Sequence, residues 1–481
     1  MPVSNWLSSI LSGNNPTLAY NTYWWLHAIA LLAFILVLIP FTKHLHVFTA
    51  IANCFLHRDG KPNTQRRETF AAGNQFGAGR VDELSDRDLI DSFACTSCGR
   101  CQNACPAHKT GKPLNPRLLI KTIQANLLAN GPALRSGQDL PVNLLDGACK
   151  GSMDENSIWS CTSCGACMEA CPVFIEHLPK LVDMRRHLVQ MQAKFPEELL
   201  NLFENMEQRS NPWGIAPGER GKWATLLGDR SFKPGETEYL FFVGCAGAFD
   251  NRSKQVTVAL TTILDQAGVS WGILGKDEPC CGDSLRRLGN EYVFDKIAKA
   301  NVAMLKEKGV VKVITQCPHC FTTLANDYKQ YDIKLQVIHH SQLIDELIGS
   351  GRLKLPKSAD LGRTIFHDSC YLGRHNDIYD QPRRVLQAAT GSTPAEFPRH
   401  GDNSFCCGAG GGRMWMEEHT GSRINIDRVK EGLEQKPDTI CVSCPYCMTM
   451  LEDGLKDEDQ ADNVKVKDIA EVVAEALRPS A

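Results

Sequence analysis

The sequence has little net charge: 52 Lys and Arg against 55 Asp and Glu leave −3 over 481 residues. No basic stripe stands out, which argues against nucleic acid as a partner. No dinucleotide-binding G-x-G-x-x-G follows a strand, so any flavin would sit on a separate subunit. A cleavable signal with a basic start and small-residue exit is also lacking. With the length of the chain, that lack argues against a small secreted disulfide scaffold, despite 21 cysteines. The thiols fall into C-x-x-C and C-C clusters, a pattern that favours metal over long-range crosslinks.

Charge is also missing from YNTYWWLHAIALLAFILVLIP, Tyr20 to Pro40. About twenty residues at 1.5 Å each cover about 30 Å, the thickness of a bilayer core. One transmembrane helix is expected over about 20–41, with Tyr20, Tyr23, Trp24 and Trp25 as an interfacial belt. Asn5–Leu11 could lie along the outer interface. No Lys or Arg precedes the span, while Lys43, Arg58, Lys61, Arg66 and Arg67 follow it. The positive-inside rule then places a single-pass anchor in the cytoplasmic membrane, with the large C-terminal part in the cytoplasm. His27 lies within the span, and His44 and His46 at its inner end. An intramembrane histidine should face a partner or cofactor, so His27 and His44 are candidates for haem or quinone contact. Separated by about 25 Å along a helix, they could not share one haem. A histidine hydrogen-bonded at a helix contact is the plainer alternative.

After a polar linker, about 58–88, comes ACTSCGRCQNACP, with Cys95, Cys98, Cys101, Cys105 and Pro106. The pattern returns as SCTSCGACMEACP, with Cys161, Cys164, Cys167, Cys171 and Pro172. This is C-x2-C-x2-C-x3-C-P twice, the ferredoxin run for 4Fe–4S cubanes, in which the fourth cysteine serves the other cluster. One cubane is therefore expected on Cys95, Cys98, Cys101 and Cys171, the other on Cys161, Cys164, Cys167 and Cys105. Zinc would normally use two spaced C-x-x-C pairs. The insert between the motifs carries NPRLLIKTIQANLLANG, with helical spacing and Gly131 as a stop, and HLPKLVDMRRHLVQMQAKF after the second motif is also helix-like. Cys149, in the insert, reads as a plain buried thiol.

Beyond residue 235 ten cysteines form two parallel sets: Cys245, Cys280, Cys281, Cys317 and Cys320, then Cys370, Cys406, Cys407, Cys444 and Cys447. The near-constant shift between them marks an internal duplication. Both sets hold a C-C-G and close with C-P-aromatic-C. Five thiolates exceed what a cubane takes, and neighbouring thiolates on a glycine turn can reach two irons, which suggests a larger or opened cluster. Tetrahedral zinc is the chemical alternative. Cys441 has no counterpart and is left out of the set. EYLFFVG, VKVITQC, RTIFHDSC and DTICVSC read as buried strands delivering cysteines at their C-terminal ends, where sites of parallel α/β folds lie. Gly408, Gly410, Gly411 and Gly412 read as a flexible loop; a phosphate loop is a weak alternative, because no G-K-[ST] follows. Asp283, His319, His367 and His375 lie near the motifs as candidate acids, or as structural residues.

The expected class is thus α/β: a membrane anchor over 1–57, a helical ferredoxin domain over 58–234, and cysteine-rich repeats over 235–362 and 363–481. The two cubane motifs followed by the repeated C-x(n)-C-C-G-x(n)-C-x-x-C resemble the catalytic half of heterodisulfide reductase. They are similar also to iron–sulfur subunits of anaerobic glycerol-3-phosphate, glycolate and lactate dehydrogenases. YWWLHAIALLAFILVLIPFTKHLH, ACTSCGRCQNACPAHKTGKPLNP and NPWG resemble membrane-bound electron-transfer-flavoprotein:menaquinone oxidoreductases. The likeness to the reductase implies two non-cubane 4Fe–4S clusters on the ten repeat cysteines. The likeness to the menaquinone oxidoreductases implies a flavoprotein as electron donor or acceptor. The family carries several transmembrane helices ahead of this point, so a membrane cytochrome b or quinone-binding subunit, sharing haem b, would complete the anchor. Quinol-dependent disulfide reduction, or service to a hydroxyacid or glycerol-phosphate dehydrogenase, are the alternative activities.

Overall fold

The computed structural model describes residues 16–42, 44–57, 64–71 and 73–477. Asn5–Leu11, Lys43, Arg58 and Lys61 lie outside them. The uncharged run is helical over Pro16–Ala33, π-helical over Phe34–Leu38, and ends with Ile39–Phe41. Pro40 accounts for the widened stretch. It has no N–H, and its ring crowds the carbonyl four residues back, so the Ile39 N–H reaches back to the Phe34 carbonyl. Thr17–Phe41 starts three residues before the expected Tyr20, and is long and apolar enough to cross a bilayer. Among the described residues no other helix qualifies. A shorter apolar helix, Leu45–Phe55, follows after a turn at Thr42 and packs on Asp86–Ala94.

The stretch expected as a linker is instead strapped down. The Gln65 carbonyl accepts from Arg286 Nη2 at 2.6 Å, its side-chain oxygen accepts from Arg287, and Arg67 pairs with Asp295 at 3.0 Å. The reason lies far along the chain: Arg286 and Arg287 are buried in the first repeat and need acceptors.

The ferredoxin half is helical. Ser85 caps Asp86–Ala94 in a reciprocal box with Asp88. Asn115, with Pro116 in the first turn, starts Pro116–Ser136. This helix does not stop at Gly131. It runs through Gly131 and Pro132 to Gly137, whose φ is +66°. Asn130 pins it by exchanging bonds with Val142, 2.9 and 3.0 Å, so tertiary contact overrides the local breakers. His177–Gln192 and Leu199–Arg209 complete the layer.

Each repeat is a four-stranded, wholly parallel sheet. The first holds β1 (Tyr239–Phe241), β2 (Trp271–Gly272), β3 (Lys312–Thr315) and β4 (Gln336–His339), in the order β2-β1-β3-β4. The second holds β5 (Thr364–Phe366), β6 (Ala395–Glu396), β7 (Thr439–Val442) and β8 (Lys465–Asp468), in the matching order β6-β5-β7-β8. Leu240, Ile314, Ile365 and Ile440 are fully buried, as strands covered on both faces require. One apolar core joins the ferredoxin helices to the first repeat, and another joins the outer side of the first repeat to the second.

Between strap, ferredoxin and first repeat lies a buried ion network. Asp327 holds Arg287 at 2.5 Å and Arg286 at 3.2 Å, while Glu291 holds Arg186 at 3.1 Å and also bonds Arg286. Removing one member strands an uncompensated charge. Asp327→Ala is therefore expected to cost about 3–5 kcal/mol, read as a fall in the denaturation midpoint, with Asp327→Asn losing less.

Candidate metal centres

The two ferredoxin motifs share one backbone form. Ser97 and Ser163 have φ of +57° and +47°, and Gly99 and Gly165, with φ of +82° and +76°, each precede a short helix carrying the third cysteine. The loop turns its amides toward sulfur: Ser163 N lies 3.3 Å from Cys161 Sγ. Burial, then Cys171 and Cys95, push the Cys101 thiol up to about 12. Cys167 is raised by burial and then by Cys161, Cys105 and Cys164. The structure thus gathers Cys95, Cys98, Cys101 and Cys171 in one place, and Cys105, Cys161, Cys164 and Cys167 in another, with Cys101 and Cys167 at the junction.

The repeats deliver thiols from three places each. Cys245 lies in the first turn of Gly244–Phe249, just past β1. Cys317 caps Pro318–Ala325 after β3, and Cys444 caps Pro445–Asp457 after β7. The C-P-x-C sequence has a physical use here. Proline suits the first helical position, so both thiols sit at a helix N-terminus, where free N–H groups and the dipole favour thiolate. The C-C-G turns supply the remainder. Gly282 and Gly408 have φ of +89° and +99°, and their N–H groups point at Cys280 Sγ and Cys406 Sγ, 3.4 and 3.3 Å away. A Cβ on Gly282 would stand 2.7 Å from the Phe294 ring.

Two junctions run between sets. The Cys161–Cys164 segment is gripped by the second repeat: Arg374 Nε donates to the Cys164 carbonyl at 2.8 Å, Ser163 Oγ meets Tyr371 Oη at 2.7 Å, and His375 Nε2 lies 3.0 Å from the Ser163 carbonyl. There the thiols of Cys164 and Cys406 lie close enough to shift each other's ionisation, Cys164 up and Cys406 down. The second junction is reciprocal. His319, from the first repeat's C-P-H-C, lies beside Cys444 of the second, and Tyr446, from C-P-Y-C, lies beside Cys317, Cys245 and Cys280 of the first. The two rings meet edge to face, centroids 5.1 Å apart.

The candidate acids take different places. Burial opposes charge on His319, but Asp283 at 2.8 Å and then Cys444 hold it well above the ordinary imidazole range. His375, lowered to about 3 by burial and then by Arg374, spends its Nε2 on a backbone carbonyl. His367 is lowered to about 3 by burial and then by Arg428, whose Nε donates to its Nδ1 at 3.1 Å. Its Nε2 is buried with no hydrogen-bond partner among the described residues. One ring nitrogen lies within 4.8 Å of the Cys407 and Cys447 sulfurs. His27 is exposed on the apolar helix, and His44 sits beyond its end, Nδ1 3.0 Å from Thr42 Oγ1. Described residues do not bring these two into any thiol set.

Two expectations need correction. Cys149 is exposed, because its turn lies on the surface of the insert. The Gly408–Gly412 loop is packed rather than free: a Cβ on Gly411 would stand 2.5 Å from the Cys161 carbonyl, and Arg185 bonds both Gly411 and Cys161 carbonyls. Its glycines permit close approach to the ferredoxin half, not to phosphate. The arginines at the sulfurs were not legible either. Arg220 Nη2 lies 3.1 Å from Cys245 Sγ and Nη1 2.8 Å from Glu278, yet its local sequence carries no motif. Cys441 lies inside β7, at the place of Ile314 in β3.

Sixteen of the eighteen motif thiols are buried; Cys98 is exposed and Cys171 half-buried. Burial raises Cys161 to about 11 despite Arg185. Such thiols ionise together only around a cation that compensates them, so the donor set fits a thiophilic metal centre. Parallel sheets ending in thiols, beside a twofold ferredoxin run, define an iron–sulfur oxidoreductase. Family comparisons agree: a 4Fe-4S dicluster domain matches residues 87–172, and a cysteine-rich domain matches 239–325 and 364–452. The EtfAB:quinone oxidoreductase of Syntrophomonas wolfei is 40% identical over 95% of this chain and 68% of its own length. A probable membrane-anchored ferredoxin of Chromohalobacter salexigens is 36% identical over 84% and 62%. A component of the dihydromethanophenazine:CoB–CoM heterodisulfide reductase of Methanosarcina acetivorans is 29% identical over 82% and 96%. The chain belongs to the iron–sulfur oxidoreductase family of EtfAB:quinone oxidoreductase.

Gly282→Ala and Gly408→Ala test the C-C-G turn. Each is expected to cost about 1–3 kcal/mol from the left-handed backbone alone. Gly282→Ala should cost more, because its Cβ meets a buried ring while that of Gly408 meets side chains at 3.2 Å. Denaturation midpoints of the anaerobic protein check the order.

Proposed function

We propose that this chain is a membrane-anchored electron-transfer subunit, passing electrons between a cytoplasmic flavoprotein of the electron-transfer type and a haem or menaquinone pool. The observation that carries this reading is the unbroken row of four thiol sets. Beginning nearest the apolar helices, it runs from Cys95/Cys98/Cys101/Cys171 to Cys105/Cys161/Cys164/Cys167, then to the second repeat, then to the first. In this reading the two ferredoxin sets hold cubane 4Fe–4S clusters and the repeat sets, Cys245/Cys280/Cys281/Cys317/Cys320 and Cys370/Cys406/Cys407/Cys444/Cys447, hold non-cubane ones. Bound clusters of this kind supply one-electron steps at potentials tuned by hydrogen bonds, charge and exposure.

The chain's own residues do the tuning. Arg220 donates to Cys245, amides at Ser163, Gly282 and Gly408 point at sulfur, and buried walls exclude water from all but the first set. The first repeat, at the far end of the row, is the place for the flavoprotein. The Thr17–Phe41 helix supplies the anchor, its C-terminal side facing the cytoplasm, and a cytochrome b or quinone-binding subunit completes it. His27 is the ligand or contact this reading offers that subunit.

A second reading, disulfide reduction at the repeats, is favoured by the His319–Asp283 pair, which places a protonatable ring against Cys444.

Anaerobically purified chain is expected to hold about sixteen irons and as many sulfides, four per cluster; zinc in their place would overturn the reading. Reduced electron-transfer flavoprotein should then bleach the iron–sulfur absorbance, and added menaquinone in membranes restore it. Cleavage of a small thiol dimer, with no response to flavoprotein, would instead select the second reading. Cys164→Ser, at the junction, should slow bleaching of the ferredoxin sets relative to the repeat sets.

A further inference from the structure

Helix Leu45–Phe55 is amphipathic the wrong way round for a protein surface. Thr49 and Asn53 face inward among half-buried Leu45, Ala50 and Cys54, while the large apolar side chains of Val47, Phe48, Ile51 and Phe55 face out. Asn53 is completely buried, while Phe55 is 88% exposed and Ile51 67%. Val47, Ile51 and Phe55 recur every fourth residue, with Phe48 beside them, so they form one face. A helix on a soluble domain buries that face. Here the opposite face is the one that docks, and it docks through hydrogen bonds. Thr49 Oγ1 donates to the Phe93 carbonyl at 2.9 Å, Asn53 Nδ2 to the Val173 carbonyl at 2.7 Å, and Arg87 Nη1 to the Asn53 carbonyl at 3.1 Å.

Chain reach decides what covers the outward face. Only residues 42–44 separate Leu45 from the end of the Thr17–Phe41 helix. Fully extended, they carry the chain at most about 14 Å, little more than the headgroup layer and one helix radius. The turn is not extended. Thr42 Oγ1 meets His44 Nδ1 at 3.0 Å, and the His44 ring packs back on Phe34 of the apolar helix, centroids 5.9 Å apart. The outward face holds no charge and no hydrogen-bonding side chain, which suits acyl chains.

We infer that Leu45–Phe55 lies in the headgroup layer of the bilayer, with Val47, Phe48, Ile51 and Phe55 toward the lipid tails, and fixes the first thiol set to the membrane surface. The inference rests on reading Thr17–Phe41 as a membrane span. Its consequence comes from where the helix is bonded. Phe93 stands two residues before Cys95, and Val173 two residues after Cys171. The lipid-facing helix therefore grips both chain segments that bring the Cys95/Cys98/Cys101/Cys171 set together. That set is held about one helix diameter, roughly 10 Å, from the lipid surface.

The test installs p-benzoylphenylalanine singly at Phe48, Ile51 or Phe55 of the full chain, with Leu31 in the span and Leu226, 97% exposed elsewhere, as comparisons. Native membranes are irradiated and adducts read by mass. Lipid adducts at Phe48, Ile51, Phe55 and Leu31, and none at Leu226, are expected. Lipid adducts at Leu31, with protein adducts or none at the other three, would overturn the inference and leave the anchor standing. No lipid adduct at Leu31 would overturn both. A second measurement bears on the helix alone: spin relaxation of the first cluster by a paramagnetic headgroup-labelled lipid should be enhanced, and lost in Thr49→Ala/Asn53→Ala. Unchanged relaxation in that variant would overturn the claim that the helix holds the set in place.

Discussion

Eighteen clustered thiols, sixteen of them buried, set the terms for everything around them. Neutral, they are small and apolar enough to bury; as thiolates they repel one another and miss water. The folded chain meets this with cationic and dipolar groups at the sulfurs: Arg220 at Cys245, Arg374 beside Cys164, Cys370 and Cys406, and helix N-termini at Cys317 and Cys444. A cationic centre bound by the thiols would do the larger share. Each sheet is correspondingly short, two to four residues per strand, since its task is to bring loop ends to one place.

The same constraint explains why the domains are not beads on a string. Thiol sets in contact need backbone in contact, and the Cys161–Cys164 segment is where this happens. Arg185 reaches the carbonyls of Ile158, Cys161 and Gly411, tying the ferredoxin motif to the glycine loop of the second repeat. Three glycines in a row remove the side chains that would hold the two apart. The strap at Gln65 and Arg67 performs a similar task on the other side, where the ion network around Asp327 and Glu291 closes ferredoxin against the first repeat.

Sequence made the thiols legible because their spacing is local: C-x2-C-x2-C-x3-C is one loop and a short helix, and C-P-x-C is a single helical turn. The duplication was legible for the same reason, and the matching strand order of the two sheets follows from it. What sequence did not reveal depends on partners far along the chain. Gly131 looked like a stop because its anchor, Asn130 on Val142, is formed by a later loop. Residues 64–71 looked like a linker because their partners, Arg286, Arg287 and Asp295, come more than two hundred positions later. Leu45–Phe55 was hidden by its neighbour, a longer apolar run that drew the whole reading. Tyr446 could have been found: it stands in a motif already singled out, but spacing does not say across which boundary a ring points.

Duplication preserved the sulfurs and let their surroundings diverge. Where the first repeat has Asp283 after its C-C-G, the second has Ala409; where the second has His367 after its first strand, the first has Phe242. Because the closing rings cross over, the divergence acts on the opposite set. His319, held toward its protonated form by Asp283, lies against Cys444, so the first repeat turns a cation-favouring ring toward the second set. Tyr446 returns only a neutral phenol, raised well above its usual range by burial and then by Cys317 and Cys245. The first set draws its cation from Arg220 instead. Positive charge at a thiolate-bound centre favours its reduced form, and hydrogen bonds to sulfur do the same. Two sites built on one ancestral thiol pattern are thereby given different electrostatics, and a row of unequal sites can order the movement of electrons where a row of identical ones cannot.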